Sequence, residues 1–87
     1  SYTTDLKVYP NPTDNDFTLD IPERFVNNTS PTLIEIVDLQ GKIVHSQTFT
    51  HIQSALVDIH TENIARGMYL VKLKQNNDLC TTKVLLR

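Results

Sequence analysis

Met68-Tyr69-Leu70-Val71-Lys72-Leu73-Lys74 is followed by Gln75-Asn76-Asn77-Asp78 and then by Leu79-Cys80-Thr81-Thr82-Lys83-Val84-Leu85-Leu86. In the first run Tyr69, Val71 and Leu73 lie opposite Leu70, Lys72 and Lys74. In the second, Val84 and Leu86 lie opposite Lys83, Leu85 and Arg87. A period of two marks a strand with one buried and one wet face. Asn tolerates positive φ, so the polar quartet between the runs predicts a tight hairpin.

The same grammar extends backwards. Apolar runs at Leu6–Tyr9, Phe17–Ile21, Thr32–Asp38, Lys42–Phe49 and Ala55–Ile59 bring the count to seven. One run per roughly 12 residues is the upper end of the spacing of an all-β sandwich or barrel. Val, Ile, Thr, Tyr and Phe dominate them, as strands require. Phe17, Leu19 and Ile21 share one face, and Val57 and Ile59 flank Asp58. Lys42–Phe49 is open: either Val44, Ser46 and Thr48 or Ile43, His45, Gln47 and Phe49 point inward.

The turns have local causes. Pro10 and Pro12 fix φ and remove two backbone donors, so the first strand ends there or runs as an edge. Asp38-Leu39-Gln40-Gly41 predicts a type I turn that closes with Gly41 in the left-handed region and gives a bulged hairpin. Pro22 to Pro31 is the longest irregular stretch and reads as a surface loop linking two sheets. Helix is confined to one turn at most, with Thr61 as cap and Gly67 as stop.

Eighty-seven residues make one small domain, whose core removes about 60% of the unfolded chain's surface from water. With 39% apolar and 21% charged residues the balance is globular. A net charge of −2 implies no nucleic-acid partner, and no apolar run approaches membrane-spanning length. The charge is unevenly spread. Residues 1–66 hold four basic and nine acidic groups, net −5. Residues 67–87 hold Lys72, Lys74, Lys83 and Arg87 against Asp78, net +3. The last hairpin is a basic patch, read either as edge-strand protection or as a docking surface. The start at Ser1, without a leader, suggests a piece processed from something longer.

Catalytic chemistry finds little support. His45, His51 and His60 lack metal-ligand spacing. Lone Cys80 excludes an internal disulfide and reads as a small buried hydrophobe. Asp14-Asn15-Asp16 begins like a calcium loop, but Leu19 and Phe25 stand where such a loop needs Gly and Glu. A looser calcium site at Asp14 and Asp16 competes with an ordinary solvated turn. Asn27-Asn28-Thr29 and Asn28-Thr29-Ser30 match the glycosylation sequon. Two glycines cannot build a phosphate loop, and no cofactor or metal is expected.

Several motifs stand in a telling order. Val8-Tyr9-Pro10-Asn11-Pro12 precedes Phe17-Thr18-Leu19. Ile34-Glu35-Ile36-Val37-Asp38-Leu39-Gln40-Gly41-Lys42-Ile43-Val44 follows, then Val57-Asp58-Ile59. Ile64-Ala65-Arg66-Gly67-Met68-Tyr69-Leu70-Val71-Lys72-Leu73 comes next, and Lys83-Val84-Leu85-Leu86-Arg87 closes the chain. Together they resemble the C-terminal sorting domain, type A, of the type IX (Por) secretion system of Bacteroidetes, over residues 5–87. Asp14-Asn15-Asp16 stands where that family often has Gly, and Asn15 can supply the positive φ. Ile64, Gly67 and Tyr69 look like a tyrosine corner, a device of immunoglobulin-like sandwiches. An all-β, immunoglobulin-like two-sheet antiparallel sandwich of about seven strands is therefore expected.

The resemblance implies a non-catalytic secretion signal over residues 1–87, with 1–4 a linker remnant of the cargo. Its family motif falls on Pro10, Asn11, Pro12, Gly41, Gly67 and Tyr69. It implies passage through the periplasm, recognition by the type IX translocon and shuttle proteins at the outer membrane, and arrival at the cell surface or outside. It also implies removal by a sortase-like C-terminal signal peptidase. Recognition is expected at Lys83, Val84, Leu85, Leu86 and Arg87, by strand addition at an exposed edge. Self-association through edge strands is a further expectation. The alternative is a carbohydrate-binding or adhesive β-sandwich of a secreted hydrolase, which needs an exposed aromatic row.

Overall fold

In the computed structural model, which describes residues 2–3, 6–27 and 29–87, each of the seven apolar runs forms a strand. They are β2 (Lys7–Tyr9), β3 (Phe17–Asp20), β4 (Thr32–Asp38), β5 (Ile43–Phe49), β6 (Leu56–Ile59), β7 (Gly67–Gln75) and β8 (Asp78–Leu86). A short strand, β1 (Tyr2–Thr3), precedes them and pairs in parallel with Leu79 and Cys80. Two residues are too few to show a period, so β1 has no sequence signature. The sheets run β1-β8-β7-β4-β5 and β2-β3-β6. Apart from β1, every strand pairing is antiparallel. Lettered in chain order from β2, the sheets are A-B-E and C′-C-F-G, an immunoglobulin-like sandwich.

The core lies between the inner faces. Phe17, Leu19 and Ile59 from one sheet meet Ile34, Ile36, Val71, Leu73 and Val84 from the other, all 2% exposed or less. Each such side chain contributes roughly 1.5–3 kcal/mol by leaving water. β4 lies between β5 and β7, so even Glu35 and Val37 on its outer face are covered.

Pro22 to Pro31 carries the chain from the small sheet to the large one. It contains the only helical turn among the described residues, Glu23–Phe25, whose Phe25 plugs the sandwich end. The Gln75 amide donates to Phe25 O at 3.2 Å and to Thr32 Oγ1 at 2.7 Å, so this buried polar group is satisfied. Asn28, shared by both sequons, lies outside the described residues. The turn expected over Thr61–Gly67 is not helical. Ile64 N–H bonds Thr61 O and the chain then extends into β7.

The Asp38–Gly41 turn forms as its residues require. Gly41 N–H bonds Asp38 O, Asp38 N–H bonds Lys42 O, and Gly41 has φ +88°. Asp38 Oδ1 also accepts from the N–H groups of Gln40 and Lys42, each at 2.9 Å. A register shift follows: Val37 faces Ile43 but Ile36 faces His45. Val44 is the extra residue. That bulge explains why no single parity fitted Lys42–Phe49, since Val44 and Phe49 from opposite parities both pack on the core.

Candidate functional site

β8 ends in residues of alternating direction. Val84 and Leu86 point into the core at 0% and 1% exposure, Lys83 and Arg87 are exposed, and Leu85 is half-buried. The strand's outer edge is occupied. Near its start β1 pairs with Leu79 and Cys80. Near its end the segment after β2 takes over, crossing from the small sheet to the large one.

Pro10 and Pro12 cannot offer backbone N–H groups. Asn11 between them offers its side chain instead. Its Nδ2 donates to Lys83 O at 3.0 Å, and Leu85 N–H donates to its Oδ1 at 3.1 Å. Both Xaa–Pro bonds here are cis. Thr13 continues the ladder: its N–H bonds Leu85 O and its O accepts from Arg87 N–H, both at 2.9 Å. Lys83 to Arg87 is thus clamped on its free side by a side-chain amide and one backbone residue. Docking by backbone pairing along these residues is blocked in this conformation. What the end of β8 leaves accessible is its outward side chains.

The clamp is anchored from below. The Thr13 hydroxyl donates to Asp16 O at 2.9 Å and accepts from Asn15 N–H at 3.2 Å. Asp16 Oδ1 accepts from Thr61 N–H at 3.0 Å, and Asp16 Oδ2 lies 2.8 Å from His60 Nδ1. The hydrogen bond from His60 holds the Asp16 carboxyl below the usual range, helped by the Thr61 N–H. The same hydrogen bond, then the carboxylate charge, raises His60. Arg66 adds bonds to Asp14 O at 3.3 Å and Thr61 O at 2.8 Å. Asp14 pairs with Arg87 at 2.9 Å. The two carboxylates considered for calcium therefore face donors of the protein itself, and among the described residues no cluster of three or more acidic, His or Cys groups gathers for a metal.

Gly67 and Tyr69 shape the same end. The Tyr69 hydroxyl donates to Ala65 O, the expected tyrosine corner, with the ring 6% exposed. Gly67 has φ +151°, and an added Cβ would meet only Tyr69 Cε2 at 3.9 Å, so backbone conformation and not space calls for glycine.

The basic patch is a face, not an open edge. Lys74 Nζ pairs with Glu35 at 3.0 Å across the outer surface of the large sheet. The sheet edges are β1 and β5 on one sheet and β2 and β6 on the other, and β8 is covered by β1, Asn11 and Thr13, so edge protection does not explain these lysines. Nor does an aromatic platform form among the described residues. Phe17, Phe25 and Tyr69 are buried, Phe49 is half-buried, and among the described side chains Tyr9 alone is largely exposed.

Nothing in the residue reading predicted the Asn11 clamp. A polar side chain standing in for a strand has no periodic signature, although an Asn between two prolines was its one visible cue. No curated protein matches the chain. The family described as the secretion system C-terminal sorting domain, the Por secretion tail, matches residues 7–87. That match spans β2 through the clamped C-terminus, so the chain belongs to the C-terminal sorting domains of the Por (type IX) secretion system, a non-catalytic secretion signal that marks a secreted protein.

Proposed function

We propose that this chain is a type A sorting domain of Bacteroidetes origin, forming one domain over residues 1–87 behind an N-terminal cargo. The cargo passes the periplasm, is recognised at the outer membrane through Lys83–Arg87, and reaches the cell surface or the medium. The translocon and its shuttle proteins read the outward side chains of Lys83, Leu85 and Arg87, while Val84 and Leu86 hold the strand in place. A sortase-like C-terminal signal peptidase then removes the domain and attaches the cargo to the surface. Self-association, where it occurs, uses the open edge of β5. The observation that supports side-chain recognition is the clamp: Asn11 and Thr13 already satisfy the backbone of Lys83, Leu85 and Arg87.

The test fuses a periplasmic fluorescent passenger to residues 1–87 in a bacterium carrying this secretion system, with the unfused passenger as control. The reading expects the fusion alone at the surface, freed of the domain, with passenger mass raised by a heterogeneous glycolipid. Export with the domain still attached would overturn the cleavage step. Retention of a folded fusion in the periplasm would overturn the sorting role.

A further inference from the structure

The outer face of the large sheet is unlike an ordinary wet sheet face. Register places Leu85 beside Met68, and Ile43, Val37, Leu70 and Lys83 in one row across four strands. Ile43 is 51% exposed and Met68 38%. Leu70 and Leu85 are half-exposed between them, and Val37 is nearly covered. The next row brings Lys72 beside Glu35. Glu35 is 8% exposed and bonded to Lys74, so its charge is spent within the sheet. Among the described residues no carboxylate pairs with Lys72 or Lys83. The face is an apolar patch bordered by cations that no described carboxylate neutralises.

From this we infer that the Ile43–Val37–Leu70 row with Met68 and Leu85 is a docking face for a partner protein whose own surface is apolar at the centre and rimmed by carboxylates. The inference rests on the sorting reading and extends its site from the end of β8 across to β5. Charge decides the occupant. A second copy meeting face to face would set Lys72 and Lys83 against their own kind, at a cost in affinity. A lipid surface is served by protruding aromatic or apolar side chains. Here Leu70 and Leu85 are half sunk in a flat sheet and no described aromatic stands on this face, a shape that suits another protein surface. Exposed apolar side chains clustered on one face, with charge at the margin, are the usual anatomy of such an interface.

The test uses the passenger fusion of the full chain, with fold checked by circular dichroism and urea midpoint. Ile43→Glu with Met68→Glu should lower export by about tenfold or more, the effect of losing a central interface contact. Lys72→Gln should lower export several-fold while Lys72→Arg retains it. Leu56→Glu, exposed on the other sheet, is the control and should export like wild type. If wild type and control are exported and the Ile43/Met68 variant is exported equally, this face is not the docking surface and the sorting reading stands. If wild type itself stays in the periplasm, the sorting reading falls and this inference with it. Flotation of the domain with vesicles of equal phosphatidylethanolamine and phosphatidylglycerol, abolished by Ile43→Glu, would assign the face to membrane and overturn the protein partner. A dimer in sedimentation equilibrium that Ile43→Glu dissociates would assign it to self-association, with the same consequence.

Discussion

Asn11 and Leu85 lie 74 positions apart in the chain and are joined by a hydrogen bond from Leu85 N–H to Asn11 Oδ1 at 3.1 Å, while Asn11 Nδ2 returns a bond to Lys83 O. One side chain thereby acts as a rung of the large sheet and ties the segment after β2 to the end of β8. Asn11→Ala should cost about 1–3 kcal/mol, two hydrogen bonds at ordinary net worth. Amide hydrogen exchange should report faster exchange at Leu85 than at Val71 in the sheet centre. Unchanged protection at Leu85 would mean the clamp does not hold in solution.

Tyr69→Phe keeps the buried ring and removes only the hydroxyl that bonds Ala65 O. Stability to urea should fall by about 0.5–1.5 kcal/mol with the slope unchanged. A loss no larger than experimental error would show that the corner is held by packing alone.

Gly41 closes the β4–β5 hairpin at φ +88° with nothing within 4 Å of a Cβ. Gly41→Ala therefore meets no clash, and its cost is conformational, about 1–2 kcal/mol. Gly41→Asn should recover part of it, because Asn tolerates the left-handed region. Equal midpoints for Gly, Ala and Asn would contradict the turn geometry.

His60 and Asp16 set a pH dependence. His60 is raised by its bond to Asp16, so this contribution to stability is complete below the unfolded histidine value of about 6.5 and disappears as pH rises through the higher folded value. Asp16 is lowered by the same bond, so its contribution is present above the ordinary carboxylate range and disappears as pH falls through the lower folded value. In Asp16→Asn the His60 midpoint, followed by NMR, should move down. A midpoint that stays in place would exclude the pair.

Seven strands were legible because Phe17-Thr18-Leu19 and Tyr69-Leu70-Val71-Lys72-Leu73 alternate cleanly and because Gly41 and Asn76 mark their turns. The inward face of β5 was not, because the bulge at Val44 changes parity within the strand. The helical turn fell at Glu23–Phe25 and not after Thr61, where the Thr61 N–H and hydroxyl are drawn into bonds with Asp16 and Asn15. The alternation of Lys83–Arg87 was legible in sequence, but not the covering of the strand's edge. Strand addition is closed off there by a side-chain amide and Thr13, both far away in the chain, and alternation within the last strand carries no sign of them.

Deleting Lys83–Arg87 would also strip Val84 and Leu86 from the core, so a truncation confuses recognition with folding. Lys83→Ala, Leu85→Ala and Arg87→Ala together leave the inward residues in place. The most direct measurement is the fraction of passenger outside the periplasm for the wild-type fusion and for this triple variant, each shown to be folded. The wild-type fusion should be exported and the triple variant retained in the periplasm. Equal export of both would contradict recognition through the outward side chains of the last strand.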